Sequence, residues 1–141
     1  FSERFSDEYA LLIRLHPQVH TGEVDAGESA IDMTGYPDVG ELVRICDLLI
    51  TDYSSICMDF ALLKKPCLFY AFDLEEYERE RSFFFSYEDY VPGKTAKTFD
   101  GLLDMIASED FGKDRQEKFR EFNFDVFDGK SAERTVDAIV K

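Results

Sequence analysis

Two short stretches of this sequence combine residue types that can hold an anion. The first is Arg14-Leu15-His16-Pro17, which closes the apolar run Ala10 to Leu15 with a guanidinium and an imidazole. A histidine beside a proline serves equally well as a hydrogen-bonded turn residue, and Arg14 has an alternative role as the polar residue of a sheet edge. The second stretch is Thr51-Asp52-Tyr53-Ser54-Ser55, placed where a helix must begin after the apolar segment Leu48-Leu49-Ile50. The unbonded amides of a helix N-terminus and its partial positive charge form an anion site, and two adjacent hydroxyls add donors for phosphate oxygens. Asp and Ser are also ordinary N-cap residues, so a cap accounts for one of the three but not readily for all.

Asp59 sharpens the second site. In Ile56-Cys57-Met58-Asp59-Phe60-Ala61-Leu62-Leu63 it is the one polar side chain. The helix is therefore expected to be apolar nearly all round and largely buried, where a carboxylate is costly unless paired or hydrogen-bonded. It follows Ser55 by four residues, on the same face one turn deeper. Ser55 would then meet phosphate while Asp59 accepts hydrogen bonds from sugar or polyol hydroxyls. Pairing to a nearby Arg or Lys is the other reading.

Other groups carry less. The acidic run Asp73 to Glu80 reads as a solvated amphipathic face rather than a cation site. Phe83-Phe84-Phe85 reads as core or interdomain packing rather than a base-stacking platform. No Gly-rich phosphate loop of either common type is present, and His20, in a polar stretch, has no neighbours that suggest a nucleophile set. No metal site and no cofactor are expected.

The elements that must position these groups follow from hydrophobic pattern. Phe1, Phe5 and Tyr9 stand at helical spacing ahead of Ala10 to Leu15, a Leu- and Ile-rich run without alternation that fits a strand buried on both faces. Gln18 to Ser29 reads as a surface excursion, and Ala30 to Met33 as a short strand. Asp38 opens an amphipathic stretch (Val39, Leu42, Val43, Cys46) that leads to the strand Leu48 to Ile50. The Thr51-to-Ser55 turn, a helix through Leu63, Lys64-Lys65-Pro66 and the strand Cys67 to Tyr70 follow. Strand and helix alternating through short connectors predict a doubly wound parallel α/β sheet in a single domain. Beyond it, Phe99 to Ala107 has helical spacing, and Ser131 to Val140 forms a terminal helix after the Asp128-Gly129 turn.

Bulk properties narrow the function classes. The net charge of −14 repels polyanions, so neither nucleic acid nor an anionic membrane surface is an expected partner of this stretch. Cys46, Cys57 and Cys67 lie in apolar runs without metal-ligand spacing and read as buried thiols of a reducing compartment. No apolar stretch is long enough to span a bilayer. The opening Phe1-Ser2-Glu3-Arg4, without Met, suggests a fragment of a longer chain.

Taken in order, several motifs together resemble the C-terminal domain of the CDP-glycerol:poly(glycerophosphate) glycerophosphotransferases. They are Arg14-Leu15-His16-Pro17, Tyr36-Pro37-Asp38-Val39 with Glu41-Leu42, Ile50-Thr51-Asp52-Tyr53-Ser54-Ser55 with Asp59-Phe60-Ala61, and Lys65-Pro66 with Tyr70. The likeness continues through Asp73-Leu74-Glu75-Glu76-Tyr77, Arg81, Phe83, Tyr87-Glu88, Pro92-Gly93 and Asp128-Gly129-Lys130-Ser131 with Arg134. The resemblance implies a GT-B arrangement of two Rossmann-like domains, the C-terminal one binding the CDP-glycerol donor, with glycerol phosphate passed to a growing teichoic acid and CMP released. It implies that Arg14 and His16 contact the donor's phosphates, Ser54 and Ser55 its diphosphate, and Asp59 one of its hydroxyls. Of these, His16 is the group able to move a proton. The acceptor, a further histidine and membrane association belong to an N-terminal domain, so this stretch alone is expected to bind weakly and turn over negligibly. The full-length protein is expected in the cytoplasm, peripheral to the inner face of the membrane.

The sequence departs from the family at Ser82, where a Gly usually follows the Arg matched by Arg81, and at Lys94, where a second Pro is common after Pro-Gly. Competing readings are a CDP-ribitol or capsule-polymer transferase on the same scaffold, a receiver domain, and a non-catalytic interaction module. A receiver needs an acidic pair near the end of its first strand, where this chain has His16-Pro17.

Overall fold

The computed structural model describes residues 1–16 and 29–140, in two compact units, Phe1–Cys46 and Asp47–Lys141. Most of the Gln18-to-Ser29 excursion, with Pro17 and His20, lies outside the described residues.

In the first unit a short helix α1 (Ser2–Phe5) precedes β1 (Leu11–Ile13), β2 (Ala30–Asp32) and α2 (Val39–Ile45). The expected spacing of Phe1, Phe5 and Tyr9 produces a ring cluster, with centroids 5.3 Å and 5.9 Å apart and Phe5 buried. β1 and β2 pair in parallel with Leu12 opposite Ile31. Asp38 caps α2, its carboxylate accepting from the Gly40 amide at 2.8 Å and the Glu41 amide at 3.3 Å, while Leu42 and Val43 bury the inner face.

The second unit holds the sheet β3 (Leu49–Thr51), β4 (Cys67–Tyr70) and β5 (Lys94–Ala96), all parallel in the order β3-β4-β5. All strand pairs among the described residues are parallel, as expected for the α/β class. β4 is central, and Cys67, Leu68 and Phe69 are almost fully buried, which explains a strand with no polar alternation. Helices α3 (Cys57–Leu62), α4 (Leu74–Arg81), α5 (Tyr87–Tyr90), α6 (Phe99–Ala107), α7 (Lys113–Asn123) and α8 (Ser131–Ile139) complete the unit. The α6 start is fixed by Thr98, which accepts from the Gly101 amide at 3.1 Å. Gln116 of α7, buried, donates to the Lys65 carbonyl ahead of β4. On α8, Ala132, Val136, Ile139 and Val140 form one apolar stripe, and no residue of that helix is buried. Among the described residues no helix is long and apolar enough to cross a membrane.

Three sequence readings need correction. The helix carrying Asp59 is not buried all round: Cys57, Phe60 and Ala61 face the sheet, but Asp59, Leu62 and Leu63 are exposed. A helix of barely two turns resting on one side of a sheet cannot bury its outer face, whatever residues stand there. Phe84 is fully exposed at 104% and Phe85 is half-exposed, so of the two alternatives for this triplet the core one fails and interdomain packing is left. Of the cysteines, Cys57 and Cys67 are buried but Cys46 is only half-buried.

Both departures from the family pattern have a local account. Ser82 adopts φ +50° and ψ 161°, a conformation that glycine takes without a Cβ penalty, and it closes α4 there. Lys94 opens β5, a strand position that Pro tolerates, and here its ammonium pairs with Asp110.

Candidate functional site

In the first unit, Arg14 and His16 follow β1 directly. Arg14 is half-buried, and its Nη1 donates to the carbonyls of Met33, at 3.1 Å, and Tyr36. The Leu15 amide donates to Thr34 Oγ1 at 3.2 Å, so the exits of β1 and β2 are laced together. Part of what Arg14 does is therefore structural, as the sheet-edge alternative anticipated. Both acceptors are carbonyls, and no carboxylate among the described residues pairs with Arg14. His16 is exposed at the end of this segment. Tyr36 and Asp38, prominent in the motif, act on the fold: the Tyr36 phenol donates to Glu41, whose carboxylate raises the phenol's pKa, and Asp38 caps α2.

The second unit presents Ser54, Ser55 and Asp59 in one stretch at the carboxyl end of β3, the edge at which open parallel sheets bind ligands. None of the three candidate side chains caps α3, whose N-cap residue is Ile56. Instead Asp52 Oδ1 accepts from its neighbour's amide, Tyr53, at 2.7 Å, and Ser54 Oγ accepts from the Ile56 amide at 3.3 Å. The turn closes with the Met58 amide donating to the Ser55 carbonyl at 3.0 Å. This spans three residues, so Ser55 and Asp59 are not stacked quite as a continuous helix would stack them. Among the described residues, no backbone carbonyl accepts from the amides of Ser54, Ser55, Ile56 or Cys57. Ser55 and Asp59 are both exposed. The turn thus gathers, at one strand end, amides that no backbone carbonyl among the described residues accepts from, the exposed Ser55 hydroxyl and the exposed Asp59 carboxylate.

Sequence reasoning missed the groups that hold this loop. The Tyr53 phenol donates to Asp73 Oδ1 at 2.7 Å, and the Tyr87 phenol donates to the Asp52 carbonyl at 2.6 Å. Tyr53 stacks on Tyr77 with centroids 3.6 Å apart and rings 16° from parallel, and Phe83 lies over Tyr77 at 5.4 Å. Tyr87 meets Tyr53 at 5.4 Å and the buried Phe69 of β4 at 6.0 Å. Burial, followed for Tyr53 by the Asp73 hydrogen bond, raises both phenol pKa values well above the usual tyrosine range. The only local signal was the density of aromatic and acidic residues between Phe72 and Tyr90. Beside this loop, a cavity of about 360 Å³ opens at the carboxyl end of β4, lined by Phe72, Asp73, Leu74, Glu76, Arg79 and Lys97. Among the described residues no group of three or more His, Cys, Asp or Glu side chains converges as a metal site would require.

A parallel sheet with helices following its strands and a hydroxyl-bearing turn at its carboxyl edge defines a Rossmann-like α/β unit. The chain belongs to the CDP-Glycerol:Poly(glycerophosphate) glycerophosphotransferase family, whose model matches residues 1–141. It is 38% identical over 137 residues to the teichoic acid poly(ribitol-phosphate) polymerase of Bacillus spizizenii, covering 95% of this chain and 22% of that protein. It is 35% identical over 150 residues to the teichoic acid poly(glycerol phosphate) polymerase of Bacillus subtilis, covering 99% of this chain and 20% of that one. A solved structure of a variant of the wall teichoic acid polymerase TagF superimposes with a TM-score of 0.79 at 30% identity, over 98% of this chain and 35% of that chain. The chain thus spans about a fifth of these two curated relatives and about a third of the solved structure.

Proposed function

We propose that these 141 residues form the donor-binding domain of a glycerophosphotransferase that passes glycerol phosphate from CDP-glycerol to a growing teichoic acid, releasing CMP. The observation that carries this reading is the Ser54-Ser55 turn at the carboxyl edge of the sheet, with Ser54 half-buried and Ser55 exposed, in a chain matched by the family over its full length. A TagF variant soaked with CDPG also superimposes with a TM-score of 0.75 at 30% identity.

In this reading Ser54, Ser55 and the adjacent amides hold the donor's diphosphate, Arg14 and His16 meet its phosphates, and Asp59 accepts from a donor hydroxyl. A hydroxyl of the acceptor polymer attacks the phosphorus that bears glycerol. The new P–O bond forms as the bond to CMP breaks, and His16 takes the proton lost by the attacking oxygen. The protein contributes positioning and stabilisation of the charge that develops on the phosphoryl oxygens, without a covalent intermediate. Acceptor binding and attachment to the inner membrane face belong to the longer protein, and nucleic acid is not a partner.

A second reading, CDP-ribitol as donor, is favoured by one specific observation: the ribitol-phosphate polymerases TarL and TarK of Staphylococcus aureus are 39% and 38% identical to this chain. The test is an amide-shift titration of the isotope-labelled chain with CDP-glycerol, CDP-ribitol, CMP and UDP-glucose. Saturable shifts at Ser54, Ser55 and Asp59 with the CDP ligands support the donor site, and the tighter of the two polyols names the substrate. Shifts confined to other residues sink it.

A further inference from the structure

We infer that Tyr53, Asp73 and Tyr87 are positioning residues, which fix the Ser54-Ser55 turn before the donor arrives. The inference rests on the donor-site reading above and adds the residues through which that site is made rigid.

Asp73 carries the argument. It occupies the N-cap position of α4, and its carbonyl accepts from the Glu76 and Tyr77 amides at 3.0 Å, yet its carboxylate makes no cap. Asp38 and Thr98 at the equivalent positions of α2 and α6 both cap with their side chains. An aspartate at this position normally satisfies its own helix. This one reaches instead across to Tyr53, in the loop that follows the neighbouring strand, at 2.7 Å. A residue that forgoes its local bond for a distant one marks a place where another demand prevails.

The demand is visible in the turn itself. The Asp52-to-Ile56 segment lacks a side-chain cap on α3, and no backbone carbonyl among the described residues accepts from the Ser54 to Cys57 amides. Such a segment is left mobile unless something outside it holds it, and a receptor that must be ordered by its ligand binds more weakly than one already in place. Tyr87, 6% exposed and anchored on Phe69, grips the backbone at the Asp52 carbonyl. Tyr53 is gripped by its ring on Tyr77 and its hydroxyl on Asp73. Both grips act on Asp52 and Tyr53, so the Ser55 hydroxyl and the Ser54 and Ser55 amides take no part in them.

The test measures CDP-glycerol affinity of the chain by calorimetry, with amide spectra and thermal unfolding recorded for each variant. Tyr87→Phe and Tyr53→Phe keep the rings and remove one hydroxyl each; both should weaken binding about five- to tenfold, with ligand-free shifts confined to residues 52–57. Asp73→Asn retains an oxygen acceptor for Tyr53 and should bind within about twofold of the unaltered chain, whereas Asp73→Ala should match Tyr53→Phe. Unchanged affinity in both phenylalanine variants overturns the inference while leaving the donor site intact. An Asp73→Asn variant as weak as Asp73→Ala also overturns it, since the charge itself would then be meeting the ligand. Absence of CDP-glycerol binding both in the unaltered chain and in the full-length protein that carries it removes the donor-site reading and this inference with it.

Discussion

A β carbon at Gly93 would stand 1.9 Å from the carbonyl oxygen of Cys67. The backbone leading into β5 crosses the first residue of the central strand at a distance only glycine permits, which gives the Pro92-Gly93 motif a physical reason. Gly93→Ala must push apart two adjacent strands in a fully buried region. The expected loss is about 2 kcal/mol or more, as for overpacked cores, read as a lower midpoint in urea unfolding. An unchanged midpoint would mean that the two strands separate without cost.

Ser82 offers the opposite change. Its φ of +50° is one that serine adopts at a cost and glycine does not. Ser82→Gly should therefore raise stability by about 1 kcal/mol, despite the greater freedom glycine gives the unfolded chain. A differential scan showing a lower melting temperature would contradict this account of the turn.

Asp59 and Ser55 are exposed, so their roles separate cleanly from folding. Ser55→Ala and Asp59→Ala should leave thermal unfolding unchanged, while each weakens CDP-glycerol binding by about tenfold, the scale of a hydrogen bond to a charged partner. Parallel calorimetry and melting curves on the same samples check both halves.

The cysteines predict a pH window. Burial pushes the Cys57 thiol up to about 11 and the Cys67 thiol up to about 12, from an ordinary value of 9.0. Because the folded values lie above the unfolded one, the native state favours the protonated thiols. Their contribution to stability is complete below about pH 9 and disappears as pH rises through 11 to 12. Urea midpoints measured from pH 8 upward should fall across that interval, and Cys57→Ala with Cys67→Ala should lessen the fall, the remainder coming from the raised phenols of Tyr53 and Tyr87. At pH 8 a thiol reagent should modify half-buried Cys46 first, the other two only on unfolding.

Much of the fold could be read from local pattern, and the exceptions share a cause. β4 and α6 have the bounds their hydrophobic runs predict, Cys67 to Tyr70 and Phe99 to Ala107. α7 escaped because Lys113 to Asn123 is mostly charged and buries only Gln116 and Phe119, too few to make a stripe. β5 is three residues, Lys94-Thr95-Ala96, whose strand character comes wholly from pairing with β4. Asp59 was misjudged because apolar neighbours in sequence were taken for apolar surroundings in space. The two phenol bonds join residues 20 and 35 positions apart, and no window of sequence contains such a relation. The placement of Arg14 and His16 after β1, and of Ser54 and Ser55 between β3 and α3, was legible because a strand end and the start of a helix can be located from pattern alone.

The Tyr53–Tyr77 stack has a practical consequence. The chain contains no tryptophan, so its near-ultraviolet spectrum belongs largely to tyrosine. Two phenol rings 3.6 Å apart and 16° from parallel couple as one chromophore, giving a circular-dichroism band that depends on their mutual angle. One of those rings is Tyr53, the residue immediately ahead of Ser54. The protein therefore carries its own optical gauge of the turn, and a substitution that loosens it can be followed without attaching any label.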